Sequence, residues 1–273
     1  MLDDIRAEGS KLVRRPAIWT LLGIALALSL TFTYLIPYAG YAGGTGGVRA
    51  DRGLAAMLPD RLVGNSIGGL PVFLGSLMLI LGVLAVGSEY AWGTWKTVLV
   101  QDPSRVRVYG AKLVVAGLAA LAGVLAVFAA GAVASALIAL AQDRPLDWPG
   151  AGDILEGIGA GWLIAAMWTV LGALLAVVMR GVALPVGLGL VWLLAVQNLL
   201  ALIAAPLLTW VAQLQKGLPG PNAGSLVAAL GAGTDTPGVQ AVVGGAQAAL
   251  VLAVYAVAFA ALGGAVLRHR DIL

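Results

Sequence analysis

Apolar residues in this chain run in long unbroken blocks rather than alternating or recurring on one helical face. Between successive charged residues the uncharged stretches are 16–48, 62–88, 113–142, 157–179, 181–215, 217–234 and 236–267. A helix rises about 1.5 Å per residue, so about 20 apolar residues cross a hydrocarbon core of about 30 Å. Six of the stretches are long enough, and they predict spans near 17–39, 66–88, 111–140, 156–179, 183–210 and 241–267. The exception, 217–234, is short and carries Pro219, Pro221, Asn222 and several glycines. With its flanks it predicts an extended loop over 211–240 with a short helix near 225–230, open to dipping back into the membrane where protein covers it. The expected fold class is all-α: one polytopic membrane domain over residues 1–273.

Composition narrows the chemistry. The chain is 60% hydrophobic and 11% charged, with a mean hydropathy of +0.97, whereas a soluble domain is about 25% charged. A soluble enzyme, a disordered chain and an alternating transmembrane barrel are all excluded. The absence of Cys removes disulfide scaffolds, thiol catalysis and Cys-based metal sites, and the single His269 removes a multi-His site, so no metal is expected. A net charge of +3 gives no reason to expect nucleic acid as a partner.

The basic residues orient the spans. Arg6, Lys11, Arg14, Arg15, Lys96, Arg105, Arg107, Lys112, Arg180, Arg268 and Arg270 fall on the side of the termini, eleven of the sixteen. The opposite side holds Arg49, Arg52, Arg61, Arg144 and Lys216 together with seven acids. Both termini are therefore expected in the cytoplasm and the chain in the cell membrane. Residues 1–15, with Leu2, Ile5 and Leu12 among charges, predict a short amphipathic helix on the cytoplasmic leaflet. The first span is too long for a signal-peptide core of about 7–15 residues, and Asp3, Asp4 and Glu8 stand where such a signal is basic, so it is read as retained.

Catalytic patterns fail on inspection. Gly64-Asn65-Ser66-Ile67-Gly68 matches a G-x-S-x-G nucleophile, but the one His lies at the other side of the membrane, out of reach as a base. The four lysines follow Ser10, Trp95, Ala111 and Gln215, so no phosphate-binding loop with a Gly-Lys pair is present. Apart from Glu89 and Glu156 at their edges, the spans hold no Asp or Glu, which argues against a proton- or cation-coupled carrier.

The segment from Glu89 to Lys112 is the patterned polar stretch. Trp92, Trp95 and Leu99 fall at i, i+3 and i+7, an apolar stripe on a short helix that Pro103 ends. Such a helix has two readings: an interfacial helix, since Trp favours the headgroup layer, or one that docks into a groove on a cytoplasmic partner. The residues Glu89, Gly93-Thr94, Leu99, Pro103, Arg105 and Lys112 spell E-x3-G-T-x4-L-x3-P-x-R-x6-K. This pattern resembles the signature between spans two and three of type-2 ATP-binding-cassette (ABC) transporter permeases, the six-span exporter subunits. The six-span plan, the N-terminal interfacial helix and the extended loop before the last span fit the same family along the whole chain.

The resemblance implies a coupling helix over 90–101 that seats on a nucleotide-binding subunit, with Tyr90, Trp92, Gly93, Thr94, Trp95 and Leu99 as its contact residues. It also implies that this chain is no enzyme and needs no cofactor of its own, ATP being bound and hydrolysed by the partner ATPase. The working unit would hold a second permease copy or a sister permease, surrounded by membrane lipid. Glu89 is expected at the membrane edge, paired with Arg105 or Lys112 or simply solvated. Gln197-Asn198, an amide pair in an apolar span, reads either as ordinary interhelical hydrogen bonding or as a polar patch on a translocation path. A path without charges suits a hydrophobic or amphipathic substrate. The rival reading is a membrane structural or immunity-type protein that transports nothing.

Overall fold

The computed structural model describes residues 2–43, 53–93, 104–204 and 207–269. Among these the helices run in the order α1 (Leu2–Val13), α2 (Pro16–Gly43), α3 (Leu62–Ile67), α4 (Phe73–Ala91), α5 (Arg105–Ala141), α6 (Ala151–Met179), α7 (Ala183–Leu199), α8 (Thr209–Gln215), α9 (Pro219–Ala229) and α10 (Gly245–His269), joined by turns and irregular segments such as 142–150 and 230–244. Five of them, α2, α4, α5, α6 and α10, are long and apolar enough to cross a membrane. The molecule is an all-α, multi-pass membrane protein.

Helix α4 is the axis of the bundle. Its apolar window is 78% buried against 11% for α2, which runs along the outside. Lipid is as apolar as a leucine side chain, so burial alone does not hold such helices together, and close packing does. Gly82 of α4 meets the Thr169 carbonyl of α6, Gly172 of α6 meets the Leu79 carbonyl of α4, and a Cβ at either would collide. Around this seam Leu79, Val83, Val86, Ile164, Met167 and Trp168 are fully buried. The outer helices show lipid-facing apolar rows, such as Leu118, Leu125 and Val133 on α5 and Leu250, Val254 and Val257 on α10.

Three expected boundaries change, each for a local reason. The second span begins at Phe73 rather than near 66, because Pro71 has no amide hydrogen and pushes Leu70 out of helix. Residues 62–67 instead form the separate, buried α3. The stretch expected as one span over 183–210 is wound as a shorter apolar helix, α7, interrupted by a π-helical turn at Val191–Val196 and followed by another at Leu200–Ala204. Residues 211–240 are less loop-like than their composition suggests: α9 starts at Pro219, with proline suited to a first turn, and is buried from Pro219 to Val227. Ser225 ties α9 down. Its Oγ lies 2.8 Å from the Pro221 carbonyl and 2.9 Å from that of Gln240, and accepts from the Val242 amide at 3.0 Å.

Candidate functional site

At one end of the bundle α1, the start of α2, the end of α4 and the start of α5 converge. Helix α1 turns Ile5, Glu8 and Leu12 inward, spaced i, i+3 and i+7, and Leu12 packs with Ala85, Val115 and Ala116. Carboxylates share that inward face. Asp4 Oδ2 lies 3.1 Å from Arg107 Nε, and Glu8 Oε2 lies 2.6 Å from Lys112 Nζ. The interfacial helix expected on the leaflet is thus bolted by charge to the third span.

Lys112 is the centre of a buried network. Its Nζ also donates to Glu89 Oε1 at 2.8 Å, while Lys11 Nζ lies 2.8 Å from Glu8 Oε1 and 3.9 Å from Glu89 Oε1. The Lys112 side chain is 1% exposed and that of Glu89 4%. Two carboxylates and two ammoniums sum to zero, and a buried ion is tolerated only when paired and hydrogen-bonded. Arg15 completes the frame. Its Nη1 donates to the Leu84 carbonyl at 3.0 Å and to Ser88 Oγ at 3.1 Å, and its guanidinium lies 4.8 Å from the Trp92 ring centroid. Guanidinium over indole is a favourable cation–π arrangement.

Of the two partners foreseen for Glu89, the structure brings Lys112 to it; Arg105 is the first residue of α5. Tyr90 packs half-buried against the main core, and Trp92 stands exposed at the end of α4. Gly93 closes that helix with φ +64°, the left-handed conformation glycine adopts most easily. The rest of the expected coupling helix, including Thr94, Trp95 and Leu99, lies outside the described residues. Sequence reasoning passed over Glu8, Lys11 and Arg15 as members of this site. The signal was present: Asp4 and Glu8 lie on the same helical face as Ile5 and Leu12, so burying the apolar pair carries the acids inward.

Polar residues within the apolar helices separate into two kinds. Ser76, Thr169 and Asn198 each donate to the backbone carbonyl four residues earlier, at 2.8 Å, and so satisfy themselves within one helix. Gln197 does not. It is buried, its Nε2 lacks a partner, and its side chain presses on Gly220 of α9, where any Cβ would collide with Gln197 Oε1. Gln197 and Asn198 therefore differ in how their amides are satisfied.

A sequence-family profile described as ABC-2 family transporter protein matches residues 5–196, which covers most of α1, the buried charge network and the patterned segment from Glu89 to Lys112. A search of curated proteins gave no match. The match spans well over half of the chain and takes in four of the five long apolar helices and the braced Glu89–Lys112 region: the chain belongs to the ABC-2 family of transporter proteins, as a membrane-spanning permease of an ABC transporter.

Proposed function

We propose that this chain is an exporter permease that moves a hydrophobic or amphipathic substrate across the cytoplasmic membrane, driven by ATP hydrolysis in a separate nucleotide-binding subunit. The observation that carries the reading is the charge frame at the root of segment 94–103. Lys112, Glu89 and Glu8 lock α1, α4 and α5 into one body where that segment leaves and rejoins the bundle. A push on the segment then moves two spans and the N-terminal helix together instead of bending one of them. Trp95 and Leu99 supply an apolar stripe for a groove on the ATPase, and closure of two such ATPases on ATP would tilt the paired permeases about their shared interface. The permease acts as two copies or beside a sister chain, with both termini in the cytoplasm. Apart from Glu89 at the end of α4 and Asp153 and Glu156 at the start of α6, the helices α4, α6 and α7 carry no charge, which supports a substrate without fixed charge.

The test is co-purification of the tagged chain with the ATPase encoded beside it. A stoichiometric complex whose ATP hydrolysis depends on the permease is the expected result. Absence of any ATPase subunit favours the non-transporting membrane protein instead.

A further inference from the structure

We propose that the corner between α1 and α2 holds the phosphate of an anionic membrane lipid, with Arg15 and Lys11 as its ligands. Such a site serves the chain whether or not it transports. An open cleft with about 220 Å³ of empty space lies at this corner, lined by Glu8, Lys11, Arg15 and Lys112 together with Leu12 and Ala85. The corner itself is ordered. The Arg15 amide donates to the Leu12 carbonyl and the Ile18 amide to the Arg15 carbonyl, both at 3.1 Å.

Charge at this cleft does not balance. Glu8 and Glu89 offset Lys11 and Lys112, and Arg15 adds a positive charge that no carboxylate pairs among the described residues. Its Nη1 donates to the Leu84 carbonyl and Ser88 Oγ, while Nε and Nη2 have no hydrogen-bond partner among the described residues. The Lys11 side chain is 43% exposed and its Nζ makes one hydrogen bond, to Glu8, among the described residues. Arg14, next to Arg15, is exposed as well. A surplus cation with free donors at the rim of a neutral buried network attracts an anion. A guanidinium fork matches two phosphate oxygens at once, and the Lys11 ammonium adds a second point charge.

The surroundings make that anion a lipid. Pro16 opens α2, whose apolar window is only 11% buried and so leaves room for lipid beside Arg15. Trp19, one turn along α2, is exposed and donates its Nε1 to the Val13 carbonyl at 2.8 Å, and the exposed Trp92 ring lies against the Arg15 guanidinium. Tryptophan favours the headgroup layer, so the two rings place the free nitrogens of Arg15 at headgroup depth. Basic side chains at that depth gain about 1 kcal/mol each from an anionic leaflet. A phosphatidylglycerol brings a phosphate with no cation of its own. A phosphatidylcholine brings a quaternary ammonium against the surplus positive charge and gains less.

The test uses the purified full-length chain in a neutral detergent and three probes: dioleoyl-phosphatidylglycerol, dioleoyl-phosphatidylcholine and inorganic phosphate. Phosphatidylglycerol should raise Tm by roughly 5 °C at saturation, and the other two by much less. Native mass spectrometry should find phosphatidylglycerol retained on the wild-type chain. Arg15→Gln should abolish both the rise and the retained lipid, while Arg6→Gln, which removes an exposed charge elsewhere on α1, should keep both. If Arg15→Gln does not fold, Lys11→Gln decides instead and should at least halve the rise. No rise in the wild-type chain, an equal rise with phosphatidylcholine, or a full rise in the Arg15 or Lys11 variant would overturn the proposal. An equal rise with inorganic phosphate would also overturn it, since the ligand would then be a soluble anion. The readout needs no ATPase, so its failure is distinct from failure of the complex to form.

Discussion

Glu8 and Lys112, 104 positions apart in the chain, meet at 2.6 Å, and Glu89 meets the same ammonium at 2.8 Å. Removing only Lys112 takes the buried ammonium away from two buried carboxylates and leaves them against the half-exposed Lys11. Lys112→Met is therefore expected to cost about 3–5 kcal/mol, the range for breaking a buried ion pair from one side. The triple variant Glu8→Gln/Glu89→Gln/Lys112→Met removes the buried charges, leaving the half-exposed Lys11, and should recover much of that loss. Thermal unfolding of the two variants in nanodiscs checks this. Equal Tm values for Lys112→Met and the wild type would show that the network is not desolvated.

The same frame constrains charge reversal. Exchanging Glu89→Lys and Lys112→Glu restores one pair but leaves Glu8 beside a second carboxylate, so transport should stay impaired. Adding Glu8→Lys to the exchange should recover part of it. Recovery by the double exchange alone would place Glu8 outside the working network.

At the end of α4, Gly93 holds φ +64°, and proline, fixed near −65°, cannot adopt it. Gly93→Pro redirects the chain as it enters segment 94–103, and Trp95→Ala thins the stripe expected to seat on the ATPase. Both variants should insert and purify at wild-type yield yet retain several-fold less ATPase on co-purification. Undiminished complex and transport in both would make the segment an interfacial helix only.

The seam between α4 and α6 predicts opposite signs for one substitution type. Gly82→Ala places a methyl against the Thr169 carbonyl and should destabilise by about 1–3 kcal/mol, as overpacking does. Gly117→Ala, with open space around its Cβ position, should be neutral or stabilise by up to about 1 kcal/mol through lower chain entropy. Fluorescence-detected unfolding of the pair reads the difference. The seam is looser than described if both behave alike.

Topology is accessible because the chain has no native Cys. Ser104 and Asp147 are both exposed, beyond opposite ends of α5. A Cys at 104 should react with impermeant maleimide only from the cytoplasm, and a Cys at 147 only from outside. The reverse pattern would invert the orientation drawn from the basic residues.

What the sequence determined by itself is the part governed by solvent. Five of the six apolar blocks longer than the hydrocarbon thickness form helices long enough to cross it, and the spacing from Glu89 to Lys112 was enough to point to the family, because both are one-dimensional signals. Pro71 and the two prolines of α9 were local signals too, legible as boundaries once their missing amide hydrogens are weighed. The tertiary structure alone decided which charges meet and which polar groups stay unsatisfied. Glu89 had two candidate cations in sequence; the packing of α4 on α5 brought Lys112 to it, and the docking of α1 added Glu8 and Lys11, groups no spacing rule connects to it. Gln197 and Asn198 look equivalent as neighbours, yet successive helical residues point about 100° apart. One therefore bonds its own helix, and the other is pressed against a glycine 23 positions further along the chain. Burial is a property of what packs around a residue, and in a chain this uniformly apolar the local pattern carries no record of it.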